Sequence, residues 1–417
     1  MRTVHVVGAG VAGLACAVRL ARDGRSVQLH EAAGHAGGRC RSFFDETLSR
    51  TIDNGNHLLL SGNRSAMAYL DEIGARDSLM GPAGPAFPFF DLESGRRWTV
   101  RPNLGRLPLW IFAPGRRVPE TGVGDYLKAL TLARARPEDT VADRLDASAA
   151  LYARFWEPLA VSILNTAAEE GAASLLWPVL TEIFGRGGAA SRPLIARVGL
   201  SHSFAEPALA LLAGRGAEVG FNRRLRAITT AGDMVEALDF GDETIALGDS
   251  DRVVLAVPPA AAVALLPSLI VPVETRAIVN AHFRLAEPVD TPGGSPFLGL
   301  LGGTAQWLFV RGDVVSVTVS AADALADKPS DEIASALWAN VARALGQPRQ
   351  PQPPVRIIKE KRATFAQTPA QAALRPGTRT AWRNLFLAGD WTDTGLPATI
   401  ESAIRSGHTA AAAVAGG

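Results

Sequence analysis

The stretch from Val4 to Arg39, VHVVGAGVAGLACAVRLARDGRSVQLHEAAGHAGGR, restricts the chain to very few folds. Apolar Val4, Val6 and Val7 lead into Gly8, Gly10 and Gly13, an alanine-rich helical pattern runs to Arg22, Gly24 closes it, and Val27 and Leu29 carry a second strand to Glu31. This is a βαβ unit with G-x-G-x-x-G at the strand-to-helix turn and an acid about 20 residues further on. Gly8 permits the tight turn, Gly10 lets the backbone approach a pyrophosphate, and Gly13 lets the helix lie close on its strand. The helix start, through Val11 and Ala12, meets the phosphates with free N–H groups, while Glu31 is placed to accept from both ribose hydroxyls. A bound dinucleotide follows from these residues alone.

Gly37-Gly38-Arg39 stands one short loop beyond Glu31. Two adjacent glycines allow backbone contact, and the arginine supplies a cation for the pyrophosphate. Plain nicotinamide dehydrogenases need no such second anchor. The arrangement resembles that of glutathione-reductase-like flavoproteins, which implies FAD as the cofactor. No second G-x-G-x-x-G follows, so no tight nicotinamide site is expected and the electron donor stays unknown.

With 417 residues, 47% hydrophobic and 20% charged, the chain reads as a soluble globular protein large enough for two domains. A net charge of +1 removes the bulk electrostatic case for nucleic acid. Cys16 and Cys40 lack metal-ligand spacing and do not make a disulfide framework, which fits a reducing cytosol; no metal is expected. Neither a leader before Val4 nor an apolar run of about 20 residues is visible, so the expectation is a cytoplasmic protein whose membrane contact is at most peripheral, at the inner face of the cytoplasmic membrane.

Cofactor-binding pieces recur at the start, middle and end. We therefore expect an α/β fold: a discontinuous Rossmann-like, glutathione-reductase-like FAD domain at 1–76, 203–269 and 381–417, with an α+β substrate domain inserted at 77–202 and 270–380. The middle piece holds Ala217-Glu218-Val219, a hairpin (Met234 to Phe240, Thr244 to Leu247), and an apolar strand from Arg252 to Val257 that Pro258-Pro259 forces out of the sheet. In the last piece a strand from Leu385 stops at Gly389-Asp390, and a helix starts near Ala398. Asp390 is placed to hydrogen-bond ribityl or phosphate-bridging groups, and the helix-start N–H groups at Ala398, Thr399 and Ile400 point at the electron-poor edge of the flavin. The insertions carry helical patterns at Ala149 to Leu164, Ser174 to Phe184 and Ser330 to Leu345, and strands at Ile278 to Leu285, Trp307 to Val310 and Val314 to Val319. Sheet and helices of this kind make a floor and roof for an apolar cavity.

Asp53-Asn54-Gly55-Asn56-His57 is the densest polar cluster, and His57 is its best proton donor. A second cluster, Trp391-Thr392-Asp393-Thr394, offers Asp393 to protonate a leaving hydroxyl or stabilise a cation. Residues 96–117 interleave six arginines with tryptophan, leucine and phenylalanine. Such a segment suits a peripheral contact with an anionic bilayer. A solvated loop around a packed tryptophan accounts for it equally well.

Four motifs extend the likeness over most of the chain: HEAAGHAGGRCRSF from His30, IDNGNHLLLSGN from Ile52, FWEPLAVSILNT from Phe155 and AGDWTDTGLPATIESAIRSG from Ala388. Together they resemble the flavin amine oxidase and phytoene desaturase superfamily and, within it, the hydroxysqualene dehydroxylase family of bacterial hopanoid pathways. The resemblance implies that Asn54 and Gly55 pass across the flavin face, that Asn56 or His57 borders the reacting ring, and that Leu225 lays its backbone against the adenine. Thr399 stands where amine oxidases carry a cage aromatic, and Asn280 falls where they carry a flavin-side lysine, which argues against amine oxidation. The implied substrate is a C30 isoprenoid alcohol. It loses water with acid assistance and takes hydride from reduced flavin N5 to give squalene, in a pocket lined by residues such as Phe155, Trp156, Trp177, Phe184, Phe297 and Trp307. Two other readings remain: a phytoene- or squalene-type desaturase running oxidatively, and an FAD-containing prenyl-lipid carrier without catalysis.

Overall fold

The computed structural model describes residues 2–416. Five parallel strands form its first sheet: β1 (Thr3–Val7), β2 (Ser26–His30), β3 (Glu218–Gly220), β4 (Arg252–Leu255) and β5 (Leu385–Leu387), in the spatial order β3-β2-β1-β4-β5. Val6 pairs with Leu29 on one side and Val254 on the other, and Val4, Val6 and Val7 are all buried. Burial on both faces is what a parallel strand covered by helices demands. Helix α1 (Val11–Arg22) lies over this sheet with ten of its residues buried. It packs against α2 (Arg64–Glu72) and α3 (Ile400–Ala415) in one core with Leu14, Leu20, Phe204 and Ile404. A three-stranded hairpin sheet, 227–231, 234–239 and 244–246, flanks β4.

The second sheet has seven strands in the order 355–365, 275–284, 314–319, 307–311, 297–301, 87–91 and 97–100. Neighbours run antiparallel except 297–301 beside 87–91. Alternation along the strands separates two cores. Phe90, Leu298 and Leu308 share one with helix Ser330–Leu345, where Phe283 meets Trp338 at 5.2 Å. Phe89, Phe297 and Trp307 share the other with helices Glu157–Leu164 and Ala173–Ile183.

Two helix readings shift. Ala149 to Leu164 is broken by a π-turn at Tyr152–Trp156, just ahead of Pro158, which has no N–H to continue an α-helical ladder. The last helix starts at Ile400 rather than near Ala398, because Thr399 is extended (φ −137°) and its hydroxyl accepts from Ser402 N–H at 3.2 Å as an N-cap. Within 96–117, Trp110 is core, its ring 5.1 Å from that of Tyr126, whereas Leu104, Leu107, Leu109 and Phe112 are exposed. No helix among the described residues is long and apolar enough to cross a membrane.

Candidate active site

The first glycine loop is fixed by contact. Gly8 has φ +105°, and a Cβ there would meet Ala256 O at 2.5 Å; a Cβ on Gly13 would meet Gly8 O at 1.9 Å. Gly10 faces open space, with nothing within 4 Å of its Cβ position. The second loop lies directly on the first, Gly37 N–H donating to Ala9 O at 2.8 Å and Gly38 crossing Gly10. Helix α1 has neither a side-chain cap nor an acid in its first turn, so the N–H groups at Val11 and Ala12 are left for an anion. Glu31 accepts from Ala9 N–H (2.7 Å) and Ala33 N–H (2.8 Å), and each carboxylate oxygen retains acceptor capacity. Leu225 is buried beside Val7, Val235 and Phe240.

Arg39 and Asp390, read from sequence as separate anchors, are joined: Arg39 Nη2 donates to Asp390 Oδ1 at 2.7 Å, and Nη1 donates to Ala363 O. Asp390 holds the Arg39 guanidinium above its ordinary pKa. Gly389 N–H is taken by Ser406 Oγ at 2.7 Å, tying β5 to α3. One expectation at the helix start is corrected. Ala398 N–H is not free, because the buried side chain of Gln367 accepts from it at 2.8 Å. The N–H groups of Thr399 and Ile400 have no acceptor among the described residues, since a helix start leaves them unpaired. The site thus offers a backbone-lined cradle open at Gly10, an acid at the end of β2 and free helix-start amides. These residues fit FAD.

Asp393 lies apart from the buried groups of the site. It is exposed and accepts from Gly395 N–H at 3.1 Å in a turn, a solvated position that gives it no purchase on a dry substrate. Arg375, which lies in no motif, is a second buried charge beside Asp390. It donates to the backbone carbonyl of Thr392 and its ring neighbour is Phe365, and burial lowers its pKa.

The Asn54–His57 loop meets the second sheet. Asn56 Nδ2 donates to Thr318 Oγ1 (3.1 Å), Thr318 donates to Asn280 Oδ1 (2.7 Å), and Asn280 Nδ2 reaches Asn54 O (3.4 Å). Asn280 therefore holds the loop by its amide rather than presenting an amine. Asp53 is buried and bonded to Arg311 (2.7 Å), Ser42 (2.6 Å) and Leu200 N–H (2.9 Å). His57 is half-buried and borders a cleft of about 20 Å³ whose apolar wall includes Ile195, Leu200 and Phe309. Burial pushes its pKa down to about 4, partly opposed by Asp53 and reinforced by Arg39. At pH 7 roughly one His57 in a thousand is protonated. His282 is fully buried on Ser316 Oγ at 2.7 Å.

The aromatic residues expected to line a pocket pack on one another. Phe155 and Trp156 lie 4.9 Å apart, Phe297 and Trp307 6.3 Å, and Phe89 meets Trp307 at 5.8 Å. Trp177 and Phe184 pack against the same cluster. A volume of about 20 Å³ is room for one water molecule.

Residues 11–415 match the family described as flavin containing amine oxidoreductase. The chain is 51% identical over 411 residues to a hydroxysqualene dehydroxylase of Rhodopseudomonas palustris, covering 98% of this chain and 97% of that one. It is 47% identical over 410 residues to a hydroxysqualene dehydroxylase of Sinorhizobium fredii, covering 98% and 97%. Among solved structures, cyclohexylamine oxidase from Brevibacterium oxydans superposes with a TM-score of 0.72 at 18% identity, over 100% of this chain and 99% of that chain, a likeness of fold.

Proposed function

This chain belongs to the flavin containing amine oxidoreductase family and is an FAD-dependent oxidoreductase, and from that premise we propose that it converts hydroxysqualene to squalene by reductive removal of the hydroxyl. The observation that carries the reading is identity of 51% and 47%, over nearly full length, to proteins bearing that activity in their names. Asn280 and Thr399, at positions where amine oxidation calls for a lysine and an aromatic, favour it over amine chemistry.

Overall, the alcohol gains a proton and a hydride and gives up water. Reduced FAD, when bound, supplies the hydride. We assign the cofactor to 1–76, 203–269 and 381–417, held at Gly8, Gly10, Gly13, Glu31, Gly37, Gly38, Arg39 and Asp390, with Thr399 and Ile400 offering N–H groups. The substrate is assigned to 77–202 and 270–380. His57 is our choice for the proton donor: its acidic conjugate acid suits transfer to an allylic alcohol, and its apolar neighbours keep water from the cation that follows. Asn56, fixed through Thr318, orients the substrate oxygen. The exposed leucines and Phe112 of 96–117 support a peripheral membrane contact, from which a C30 substrate is drawn.

Anaerobic incubation of the purified, pre-reduced protein with hydroxysqualene tests the reading. Squalene is the expected product. A more unsaturated polyene formed only by oxidised protein favours a desaturase, and bound hydroxysqualene recovered unchanged favours a carrier.

A further inference from the structure

Of the nine lysines and arginines in residues 96–136, Arg96, Lys128 and Arg136 pair with Glu120, Asp146 and Asp139, and the other six have no carboxylate partner among the described residues, in a chain whose total charge is +1. Beside them an open pocket of about 350 Å³ is lined by Phe89, Arg97, Trp98, Arg101, Pro114 and Arg117, among others. None of the three arginines has a carboxylate partner among the described residues. Arg97 is braced by Ala344 O (2.7 Å) and the Phe90 ring, and Arg117 by Ile111 O (2.7 Å), while the Arg101 guanidinium makes no hydrogen bond among the described residues. Two braced arginines and a third whose guanidinium makes no hydrogen bond line one pocket, a set complementary to a phosphate oxyanion.

The loop that joins Arg101 to Pro114 bears Leu104, Leu107, Leu109 and Phe112, exposed by 70%, 69%, 60% and 64%. Trp110, buried on Tyr126 in the same loop, anchors them, and the next helical turns add exposed Leu127 and Leu130. Large apolar side chains in open water beside unpaired arginines match the two layers of a bilayer surface, headgroup and acyl boundary. We propose that this pocket seats the phosphate headgroup of an anionic lipid, with Leu104, Leu107, Leu109 and Phe112 entering the bilayer around it. The proposal rests on the peripheral contact read above and gives it a binding site. Phe89 lines the pocket and packs on Trp307 and, at 6.4 Å, on Phe155, so the lipid face abuts the aromatic cluster beneath the second sheet.

The test is co-sedimentation of the FAD-loaded protein with phosphatidylcholine vesicles, with and without phosphatidylglycerol. Wild type is expected to partition to the phosphatidylglycerol vesicles and to be released by salt. Arg101→Gln, which removes no protein hydrogen bond, should weaken partition about fivefold. Leu107→Ser/Phe112→Ser should abolish it, and Arg215→Gln, on the exposed end of a distant helix, should bind as wild type with flavin retained in every variant. Equal binding to both vesicle types, or an Arg101→Gln variant that binds as wild type, overturns the headgroup site while leaving the membrane contact standing. Absence of partition to either vesicle overturns both, as does self-association through the leucines, and saturable binding of inorganic phosphate without partition overturns the lipid as its occupant.

Discussion

Gly10 and Gly13 are three residues apart in one loop, yet the structure gives alanine at each a different failure. At Gly13 the new methyl carbon lies 1.9 Å from Gly8 O, where such contacts essentially never fall below 3.0 Å, and the obstacle is backbone. Helix α1 must lift by about 1 Å or the β1 turn must yield, an overpacking cost of about 3 kcal/mol. That lowers the melting temperature by about 3 °C, even without cofactor. At Gly10 the methyl meets nothing within 4 Å, and the backbone there (φ −67°, ψ 171°) suits alanine. Gly10→Ala should therefore cost under about 1 kcal/mol in the apoprotein, as an exchange at a helix N-cap. It fills the space a pyrophosphate needs, and loss of one charge-assisted hydrogen bond, about 2 kcal/mol, weakens FAD about thirtyfold. Thermal melts of apoprotein and a fluorescence titration with FAD separate the two effects. Gly10→Ala that binds FAD as wild type, or Gly13→Ala that melts with it, refutes the reasoning.

Other consequences can be measured singly. His57→Ala should lower turnover at least about a hundredfold with flavin retained, and wild-type kcat/KM should fall about tenfold per pH unit above about pH 5, because the donor must be protonated. Asp393→Asn, in its solvated turn, should turn over as wild type; a large loss would restore it as an acid. Thr318→Val strands the Asn56 amide and the Asn280 carbonyl, so denaturant titration should show a loss of about 1–3 kcal/mol, and turnover should drop as the loop slackens. His30, His57, His282 and His408 are held neutral by burial, at about 3, about 4, about 4 and about 3. Their folded pKa values lie below the unfolded ones, so stability is full above about pH 6.5 and lost as pH falls. Near pH 5 the unfolded chain binds about four extra protons at these groups, a slope of about 5 kcal/mol per pH unit. Denaturation midpoints that stay flat between pH 7 and pH 5 would contradict this.

The glycine loops, the Glu31 strand end and three of the seven strands of the second sheet were legible because each is written in adjacent residues. Val314–Val319 and Ser330–Leu345 have the bounds their patterns predict. What stayed hidden is long-range pairing. Nothing local to Arg39 names Asp390 as its partner, nor does anything near Asp53 point to Arg311 or anything near Ala398 to Gln367. Trp110 and Phe112 look alike in an aromatic, basic stretch, yet a short 3₁₀ turn (Leu109–Phe112) buries one and exposes the other. The aromatic residues show the same gap: composition announces rings near a site but not which of them stack on each other.

The most direct check on reductive dehydroxylation is a titration of anaerobic, pre-reduced holoprotein with hydroxysqualene, following the return of the oxidised-flavin absorbance and the squalene formed. One squalene per bound flavin reoxidised is the predicted result. Flavin that stays reduced while hydroxysqualene is recovered intact, or squalene formed without reoxidation, would contradict it.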